Sequence, residues 1–599
     1  MSETVKIPSR DEIPREYTWD LSKLFANDDA WEEGYNEFET MIPKIETFKG
    51  TLGESPKHLL KCLNFMRDLE QLEERLGYYA HLRSCEDGSD SARQKRLAQY
   101  MQSASKAHAL ASYQTPEIQA IPEETMEEFL AYGGLQEYSV YLEKILRFKP
   151  HILSEKEEKL LALQAEANQT PQKTFSSLTD VDFDFGSILT EKGEKPLSHG
   201  MFHVYLQDPK KELREKAYIQ YYGRYEQHKN TLASLYAGSV HLDIYKARVR
   251  NFPSSRAAAL FPDKVPEEVY DNLIKTVHDN MTHLHDYYAL RKEALNLTSL
   301  HHYDVYVPLV QSISVTTPYD DAVNLVIEAL TPLGGEYCAI LEQGLKGRWV
   351  DRYENKGKRS GAFSAGSYSA DPYILLNYQD SVLRDVFTLA HEGGHSMHSW
   401  YSSANNPFQH YEYTIFEAEV ASTFNEQLLA DYMLKKADTR EMRAYLINKL
   451  VDDIIATIYR QTMFAEFEHI THRMVESGIP LTVDSLRTEY RKLLGRYFGS
   501  EVMFLDESDL EGLRIPHFYR AFYVYKYATG LSAAVSLARR VLTGGEKEQN
   551  DYLAFLRSGG SRYPLESLKL AGVDMSSPVP IQEALAYFKE LIHELRDLL

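Results

Sequence analysis

The residue types that could do chemistry are concentrated in residues 383–400. His391 and His395 are four residues apart, and Glu392 directly follows the first histidine. On an α-helix this spacing puts both imidazoles on one face, where they can bind the same metal ion. Glu392 lies about 100° further round the helix, which suits a carboxylate that takes a proton from a water on the metal without being a ligand. The His-Glu-x-x-His pattern therefore predicts a hydrolytic metal centre.

The surrounding residues favour a helix with one apolar face. Apolar residues recur at three- and four-residue steps, at Leu383, Val386, Phe387, Ala390 and Met397. Gly393 and Gly394 oppose a helix, because each glycine in a helix interior costs about 1 kcal/mol relative to alanine. Two interpretations remain: a weak helix or turn at this point, or a close approach of another backbone to the metal.

A catalytic zinc site usually takes three protein ligands and keeps one position open for water. A second helical pattern over 415–434 offers Glu417, Glu419 and Glu426 as the third ligand. Glu419 and Glu426 are two turns apart and share a face, whereas Glu417 points away. His398 competes, but it would crowd a tetrahedral metal. We therefore favour Glu419.

These residues carry a family resemblance. His391-Glu-Gly-Gly-His395-Ser-Met-His398, followed by Phe416-Glu-Ala-Glu419-Val-Ala-Ser422, resembles the zinc site of the thimet oligopeptidase family. Residues 12–24 are similar to the N-terminal signature of its bacterial oligoendopeptidase F branch, and the length and layout match from end to end. The resemblance implies one zinc ion per chain, bound by His391, His395 and Glu419, with Glu392 as the general base.

Residues 514–530 form the densest cluster of histidine and tyrosine in the chain. Such side chains can donate hydrogen bonds to the oxygen that gains negative charge during amide hydrolysis. Tyrosines at helical spacing are equally typical of core packing, and the residues alone leave both interpretations open. The segment resembles the His…Tyr…Tyr stretch that closes the family's active site. This resemblance favours His517 and Tyr523 as catalytic residues and Tyr525 as a substrate contact.

Residues 359–380 predict a β-ribbon directly before the metal-binding helix. Short strands at 361–368 and 373–378 are separated by an Asp371-Pro372 turn. The ribbon could offer an edge on which a peptide lies as an added strand, or it could be a structural hairpin. The resemblance favours the first interpretation, since a strand at this position lines the cleft in related peptidases. Gly366 and Tyr368 are the predicted substrate contacts.

Composition excludes several classes of function. The formal net charge of −22 disfavours binding to nucleic acid and to anionic membranes. Three cysteines without metal-type spacing predict no disulfide framework and a reducing compartment. The first 20 residues lack the apolar core of a secretory signal, and no apolar run reaches about 18 residues. We therefore expect a cytoplasmic protein; the sequence leaves its oligomeric state undetermined.

The 599 residues predict a predominantly α-helical, two-part protein. An N-terminal helical domain is expected over 1–205, with a short hairpin built from 181–185 and 202–206. The catalytic domain is expected over 206–599. Together they should enclose a deep active-site cleft, with a zincin-like core and a small β-ribbon beside the zinc helix.

The predicted activity is zinc-dependent cleavage of internal bonds in short, unstructured oligopeptides. Two alternatives stay open. The same metal chemistry could serve a carboxypeptidase or dipeptidase. The chain could instead be a helical peptide-binding protein with a structural metal, although such a site has no use for Glu392 and normally closes with four protein ligands.

Overall fold

The computed structural model describes residues 7–191, 193–310, 313 and 315–599, and the fold is predominantly α-helical. In the first half of the chain the α-helices are α1 Asp28–Met41, α2 Pro56–Glu86, α3 Ser91–Ala111, α4 Gln114–Ala120, α5 Glu123–Leu130, α6 Ser139–Leu146, α7 Glu155–Leu163, α8 Thr170–Ser176, α9 His199–Leu206, α10 Lys211–Val249, α11 Ser255–Leu260, α12 Glu267–Asp279 and α13 Met281–Ala294. The remaining α-helices are α14 Tyr319–Ala329, α15 Gly335–Lys346, α16 Leu383–Asn405, α17 Ile415–Lys436, α18 Arg440–Ile454, α19 Arg460–Glu476, α20 Val483–Phe498, α21 Tyr525–Thr543, α22 Glu546–Ser558, α23 Pro564–Leu570 and α24 Val579–Leu598. None of these helices combines the length and apolar character needed to cross a bilayer.

The β-structure in the described ranges is small. Its strands are β1 Ser187–Thr190, β2 Gly193–Pro196, β3 Leu300–His301, β4 Val350–Asp351, β5 Phe363–Ala365, β6 Tyr373–Leu375 and β7 Val502–Met503. β1 and β2 form an antiparallel hairpin, and β3 pairs with β7 in parallel. β6 lies between β4, which is parallel to it, and β5, which is antiparallel. The predicted ribbon before the metal-binding helix is thus present, with shorter strands and with β4 added.

The predicted hairpin of the N-terminal part lies elsewhere than expected. Residues 181–185 do not form a strand, because Ser177–Asp182 is a π-helical turn, and 202–206 belong to α9. The hairpin is instead β1–β2, between these two segments; Lys192 of its turn lies outside the described residues. The alternating phenylalanines of 181–185 serve packing instead, with the Phe185 ring stacked 4.6 Å from Tyr221.

Contacts divide the chain into two compact units. The first comprises Met1–Pro150, Ser314–Met433 and Leu537–Val573; the second comprises His151–Ile313, Leu434–Ser536 and Asp574–Leu599. Each unit is drawn from three separate stretches, whereas the sequence division at residue 205 assumes two continuous ones. That division stays a prediction.

In the first unit, the N-terminal helices and the ribbon share one core. Trp31, Leu59 and Leu76 of α1 and α2 are fully buried, and Tyr373 and Leu375 of β6 belong to the same apolar cluster. The ribbon is therefore anchored from behind by apolar side chains, which holds β5 against α16.

In the second unit, a buried ionic network joins three segments. Glu511 has no solvent exposure and pairs with Arg460 of α19 at 2.6 Å and with Arg514 at 3.2 Å. Its other oxygen accepts a hydrogen bond from the Tyr490 hydroxyl of α20 at 2.8 Å. The network fixes 506–514, directly before the His517 segment, against two helices.

Candidate active site

The helix α16 carries the predicted metal-binding motif. Its apolar face is buried as the spacing predicts, at Leu383, Val386, Phe387, Ala390 and Met397. His391 and His395 lie on the neighbouring face and remain partly accessible, with 25% and 17% of their side chains exposed. One face of the helix therefore joins the core while the adjacent face is available for chemistry.

Gly394 explains how helix α17 comes so close to helix α16. A Cβ at this position would lie 2.5 Å from the Ala421 carbonyl oxygen and 2.7 Å from the Ser422 Cα, both on α17. These are backbone atoms, so they cannot move aside cheaply. At Gly393 the nearest atom would be a Leu341 methyl at 3.3 Å. Of the two interpretations of the glycine pair, the close approach of another backbone is confirmed for Gly394.

This approach brings three potential metal ligands together. His391 Nε2 lies 3.2 Å from His395 Nε2 and 3.6 Å from Glu419 Oε2, and His395 Nε2 lies 3.9 Å from the same oxygen. Ligand atoms at about 2.0–2.1 Å from a tetrahedral zinc are about 3.3 Å apart. Two imidazoles and one carboxylate at these separations fit a zinc site with one open position.

A second carboxylate orients the first histidine. Glu426 Oε1 lies 2.7 Å from His391 Nδ1. A proton on Nδ1 leaves the Nε2 lone pair free to bind a metal, and such outer carboxylates also strengthen the imidazole as a ligand. The sequence placed Glu426 on the same face as Glu419 but only as a ligand candidate. Its role as the partner of His391 was missed, although its two-turn spacing from Glu419 held the clue.

The other ligand candidates lie away from this group. His398 is fully buried, and its ring stacks on Tyr413 at 3.6 Å with 6° between the planes. Glu417 is also fully buried and accepts a hydrogen bond from the Thr414 backbone N–H at 3.2 Å. Among the described residues, the three side chains whose ligand atoms all lie within 4.8 Å of one another are His391, His395 and Glu419.

In the metal-free group, the two histidines differ in their electrostatics. Burial, and then the nearby His391, lower the pKa of His395 to about 3, so its ring is neutral as a ligand must be. Burial alone would also lower the pKa of His391, but the Glu426 carboxylate outweighs this effect and raises it overall. Burial raises the pKa of Glu392 to about 7, with His391 opposing the shift and Glu419 adding to it.

A cavity of about 520 Å³ opens beside these residues within the first unit. Its lining residues are Tyr78, Ala362, Phe363, Ser364, Gly366, His391, Glu392, His395, Ser399, Tyr411, Glu412, Tyr413, Ala418 and Glu419. The cavity thus joins the three potential ligands, the candidate base and the β5 strand in one space. The wall formed by Tyr78 and by 411–413 carries no pattern in the sequence that would have revealed it.

The two predicted ribbon residues differ in their positions. Gly366 lines the cavity, and any Cβ there would collide with the Ser399 side chain of α16. Tyr368 instead packs its ring against Phe408 and Tyr411, at 5.3 and 5.2 Å, and its N–H donates to Glu74. The ribbon is further tied to the helix by the Ser364 and Ser396 hydroxyls, 2.8 Å apart.

The predicted donors belong to the second unit. The His517 and Tyr523 rings lie 6.2 Å apart and nearly parallel, and the Arg520 guanidinium lies 3.9 Å from the Tyr523 ring. His517 is exposed and Tyr523 is partly exposed. Tyr525 is fully buried, with its ring 5.2 Å from Tyr270. The structure therefore clusters His517 with Tyr523 and places Tyr525 in the interior.

A helical protein with two histidines and a glutamate on one helix, and a second glutamate brought in from the next helix, defines a metallopeptidase site. The model of peptidase family M3 matches residues 204–587, and that of oligopeptidase F matches residues 117–185. The chain belongs to peptidase family M3, in its oligoendopeptidase F branch. It is therefore a metalloendopeptidase that hydrolyses oligopeptides.

Individual relatives match nearly the whole length of this chain. The chain is 42% identical to oligopeptidase PepF of Bacillus subtilis, over 99% of this chain and 89% of that protein. It is also 42% identical to an oligoendopeptidase F homolog of Borreliella burgdorferi, over 98% and 99%. The crystal structure of oligoendopeptidase F from Enterococcus faecium superposes with a TM-score of 0.75 at 33% identity, covering 95% of this chain and 99% of that one.

Proposed function

We propose that this protein is a zinc-dependent endopeptidase in which His391, His395 and Glu419 hold the metal and Glu392 is the general base. The observation that carries the proposal is the convergence of three ligand atoms within 4.8 Å, with Glu392 lining the same cavity. Glu392 is only 6% exposed and follows a ligand directly in sequence.

Zinc and Glu392 have different tasks in the proposed reaction. Zinc, when bound, supplies a Lewis acid that polarises the attacking water and the peptide carbonyl. Glu392 accepts a proton from that water and delivers it to the nitrogen of the leaving amine. A base works best when its pKa lies near the working pH, and the raised pKa of Glu392 in the metal-free protein is in the suitable direction.

The β5 strand is the proposed support for the substrate backbone. It is an edge strand, since β6 pairs with it on one side, and Ala362, Phe363, Ser364 and Gly366 face the cavity. A peptide aligned with such an edge is held by its main chain, which tolerates many side chains. We retain Gly366 as a substrate contact and assign Tyr368 to the support of the ribbon.

His517 and Tyr523 are the proposed donors to the carbonyl oxygen as it gains negative charge. Their exposure and mutual contact support this assignment, whereas the burial of Tyr525 makes it a packing residue in the proposal. Loss of one such donor typically costs roughly 100-fold to 1,000-fold in kcat. Tyr523→Phe should show a loss of that order with nearly unchanged KM.

The decisive variant is Glu392→Gln, which keeps the shape of the side chain but cannot accept the proton. It should retain one zinc per chain, measured by elemental analysis, and lose at least about 100-fold in kcat. Unchanged turnover would contradict the proposed base. Loss of zinc together with activity would show instead that Glu392 helps to hold the metal.

End-blocked peptides separate an endopeptidase from an exopeptidase. We expect acetylated and amidated peptides to be cleaved internally at rates similar to free ones. A strict need for a free terminus would favour the carboxypeptidase or dipeptidase alternative. Short peptides should also be cleaved much faster than an intact folded protein.

The cytoplasm is the proposed compartment, which cell fractionation with a periplasmic marker tests.

A further inference from the structure

A strained connection in the second unit carries Tyr523. The 3₁₀ turn Pro516–Tyr519, which includes His517, is joined to α21 through residues 520–524. Within this connection Phe522 has φ of +52°, in the left-handed region that bulky side chains avoid. Such a conformation persists only where the surroundings hold it, and it sets the direction in which the next residue leaves the turn.

The group that holds this conformation is a buried carboxylate. Glu468 of α19 is 1% exposed, and its Oε1 accepts a hydrogen bond from the Phe522 backbone N–H at 2.8 Å. The Phe522 ring is buried against His472 of the same helix, at 4.7 Å between ring centres. Helix α19 therefore holds both the backbone and the side chain of Phe522.

Stability alone does not account for Glu468. Its second oxygen, Oε2, has no hydrogen-bond partner among the described residues. The neighbouring tyrosines use their hydroxyls elsewhere, Tyr236 on Thr471 at 2.7 Å and Tyr270 on the Ala465 carbonyl at 2.6 Å. A buried carboxyl oxygen without a partner is costly, and within the described part of this site only the hydrogen bond from the Phe522 N–H to the other oxygen offsets that cost.

We propose that Glu468 is a positioning residue for catalysis, whose carboxyl group fixes the Phe522 backbone and so aims Tyr523. The inference rests on the proposed role of Tyr523 as a donor. A displacement of about 1 Å in a catalytic group can cost on the order of 100-fold in rate, which is the scale of effect expected.

Glu468→Met tests the proposal, because methionine fills similar space without a strong acceptor. In the full-length, zinc-loaded enzyme it should lower kcat roughly 10-fold to 100-fold while KM changes less than about threefold. Glu468→Gln keeps a carbonyl oxygen for the Phe522 N–H and should stay within about threefold of wild type. If Glu468→Met does not fold, Glu468→Asp withdraws the acceptor and should show the same loss of kcat.

Glu466 supplies a matched control two residues away on α19. It is also buried, but its carboxylate pairs with His278 and Arg496, each at 2.8 Å, and accepts a hydrogen bond from the Tyr497 hydroxyl at 3.0 Å. Glu466→Gln should therefore keep kcat within about threefold at a temperature where all variants are folded. Circular dichroism and zinc content establish that folding and metal loading are equal.

A double-mutant cycle shows whether Glu468 acts through Tyr523. Once Tyr523→Phe has removed the hydroxyl, Glu468→Met should cost little more, whereas two independent effects would multiply. Wild-type kcat in folded Glu468→Met or Glu468→Asp, or multiplying losses in the cycle, would overturn the inference. That result leaves the proposed function intact as long as Glu392→Gln is inactive. A fully active Glu392→Gln would instead end the proposed function itself.

Discussion

At the scale of single residues, the proposed metal binding depends on the lone pairs that His391 and His395 present to the cavity. Burial favours the neutral form of His395. The lone pair on Nε2 of His391 depends instead on Glu426, whose carboxylate lies 2.7 Å from Nδ1 of the same ring. A change in this outer carboxylate should therefore act on zinc affinity before it acts on chemistry.

Glu426→Gln should weaken zinc binding by roughly 10-fold to 100-fold, because the amide holds the His391 ring less firmly and lowers its basicity. Activity should return when zinc is added in excess. Competition with a chelating dye measures the affinity. Glu417→Gln is the control, since Glu417 is buried on the same helix but is no part of the ligand group. Equal zinc affinity of wild type and Glu426→Gln would contradict this role.

Sequence reasoning could predict the group of side chains that could hold a metal ion, because helical spacing is a local property. His391, His395 and Glu419 could be placed by counting turns, whereas the choice between Tyr523 and Tyr525 could not. The left-handed backbone of Phe522 interrupts the helical period between His517 and α21. That conformation depends on Glu468, more than 50 residues earlier in the chain, and no local pattern encodes it.

At the scale of secondary-structure elements, the spacing of α16 and α17 decides whether Glu419 reaches the histidines. The helices touch at Gly394, where the backbone of Ala421 and Ser422 fills the place of a side chain. The two glycines of the motif look equivalent in the sequence. In the structure they are not, and this difference provides a matched pair of variants.

Gly394→Ala should push the two helices apart, because the new methyl group would meet backbone atoms at 2.5–2.9 Å. We expect it to destabilise the fold by about 1–3 kcal/mol and to lower zinc affinity as well. Gly393→Ala should be within about 1 kcal/mol of wild type, since it meets only a leucine methyl and gains helix propensity. Urea unfolding and zinc titration measure both effects. Equal behaviour of the two variants would refute this account of the helix contact.

The misplaced hairpin shows a limit of pattern reasoning for elements. Residues 181–185 alternate like a strand, but five residues are too few to outweigh the packing around them. Phe185 stacks on Tyr221 of α10, and His199 bonds the Thr179 carbonyl at 2.9 Å. Both partners are distant in sequence, so the fold of this segment is set by tertiary contacts.

At the scale of the whole molecule, each unit has its own stabilising centre. The ribbon and N-terminal helices of the first unit share an apolar core, whereas the second contains the Glu511 network. The overall helical character followed from periodicity along the chain. The division of each unit into three separate stretches could not be predicted in this way, because it depends on which distant stretches pack together.

Glu511 should make the stability of its unit depend on pH. Burial alone would raise its pKa, but Arg460 and Arg514 outweigh burial and hold it well below the usual value of 4.5. A depressed folded-state pKa stabilises the protein above the unfolded-state value, and this contribution is lost as the pH falls below it. Glu511→Gln should therefore cost about 3–5 kcal/mol at pH 7, because it leaves the largely buried guanidinium groups of Arg460 and Arg514 without their counter-charge.

Urea unfolding of wild type and Glu511→Gln over a pH series tests this expectation. The difference in free energy of unfolding should be largest at neutral pH and should shrink as the pH falls below about 4.5. A difference that does not vary with pH would show that the glutamate acts through packing and not through charge.

The central claim is that hydrolysis needs one metal ion held by His391, His395 and Glu419. Its most direct test is to strip the purified protein with a chelator and return zinc stepwise, while cleavage of an end-blocked peptide is followed. The account predicts that turnover falls to background without metal and rises linearly to a maximum at one zinc per chain. Full turnover by metal-free protein would contradict it.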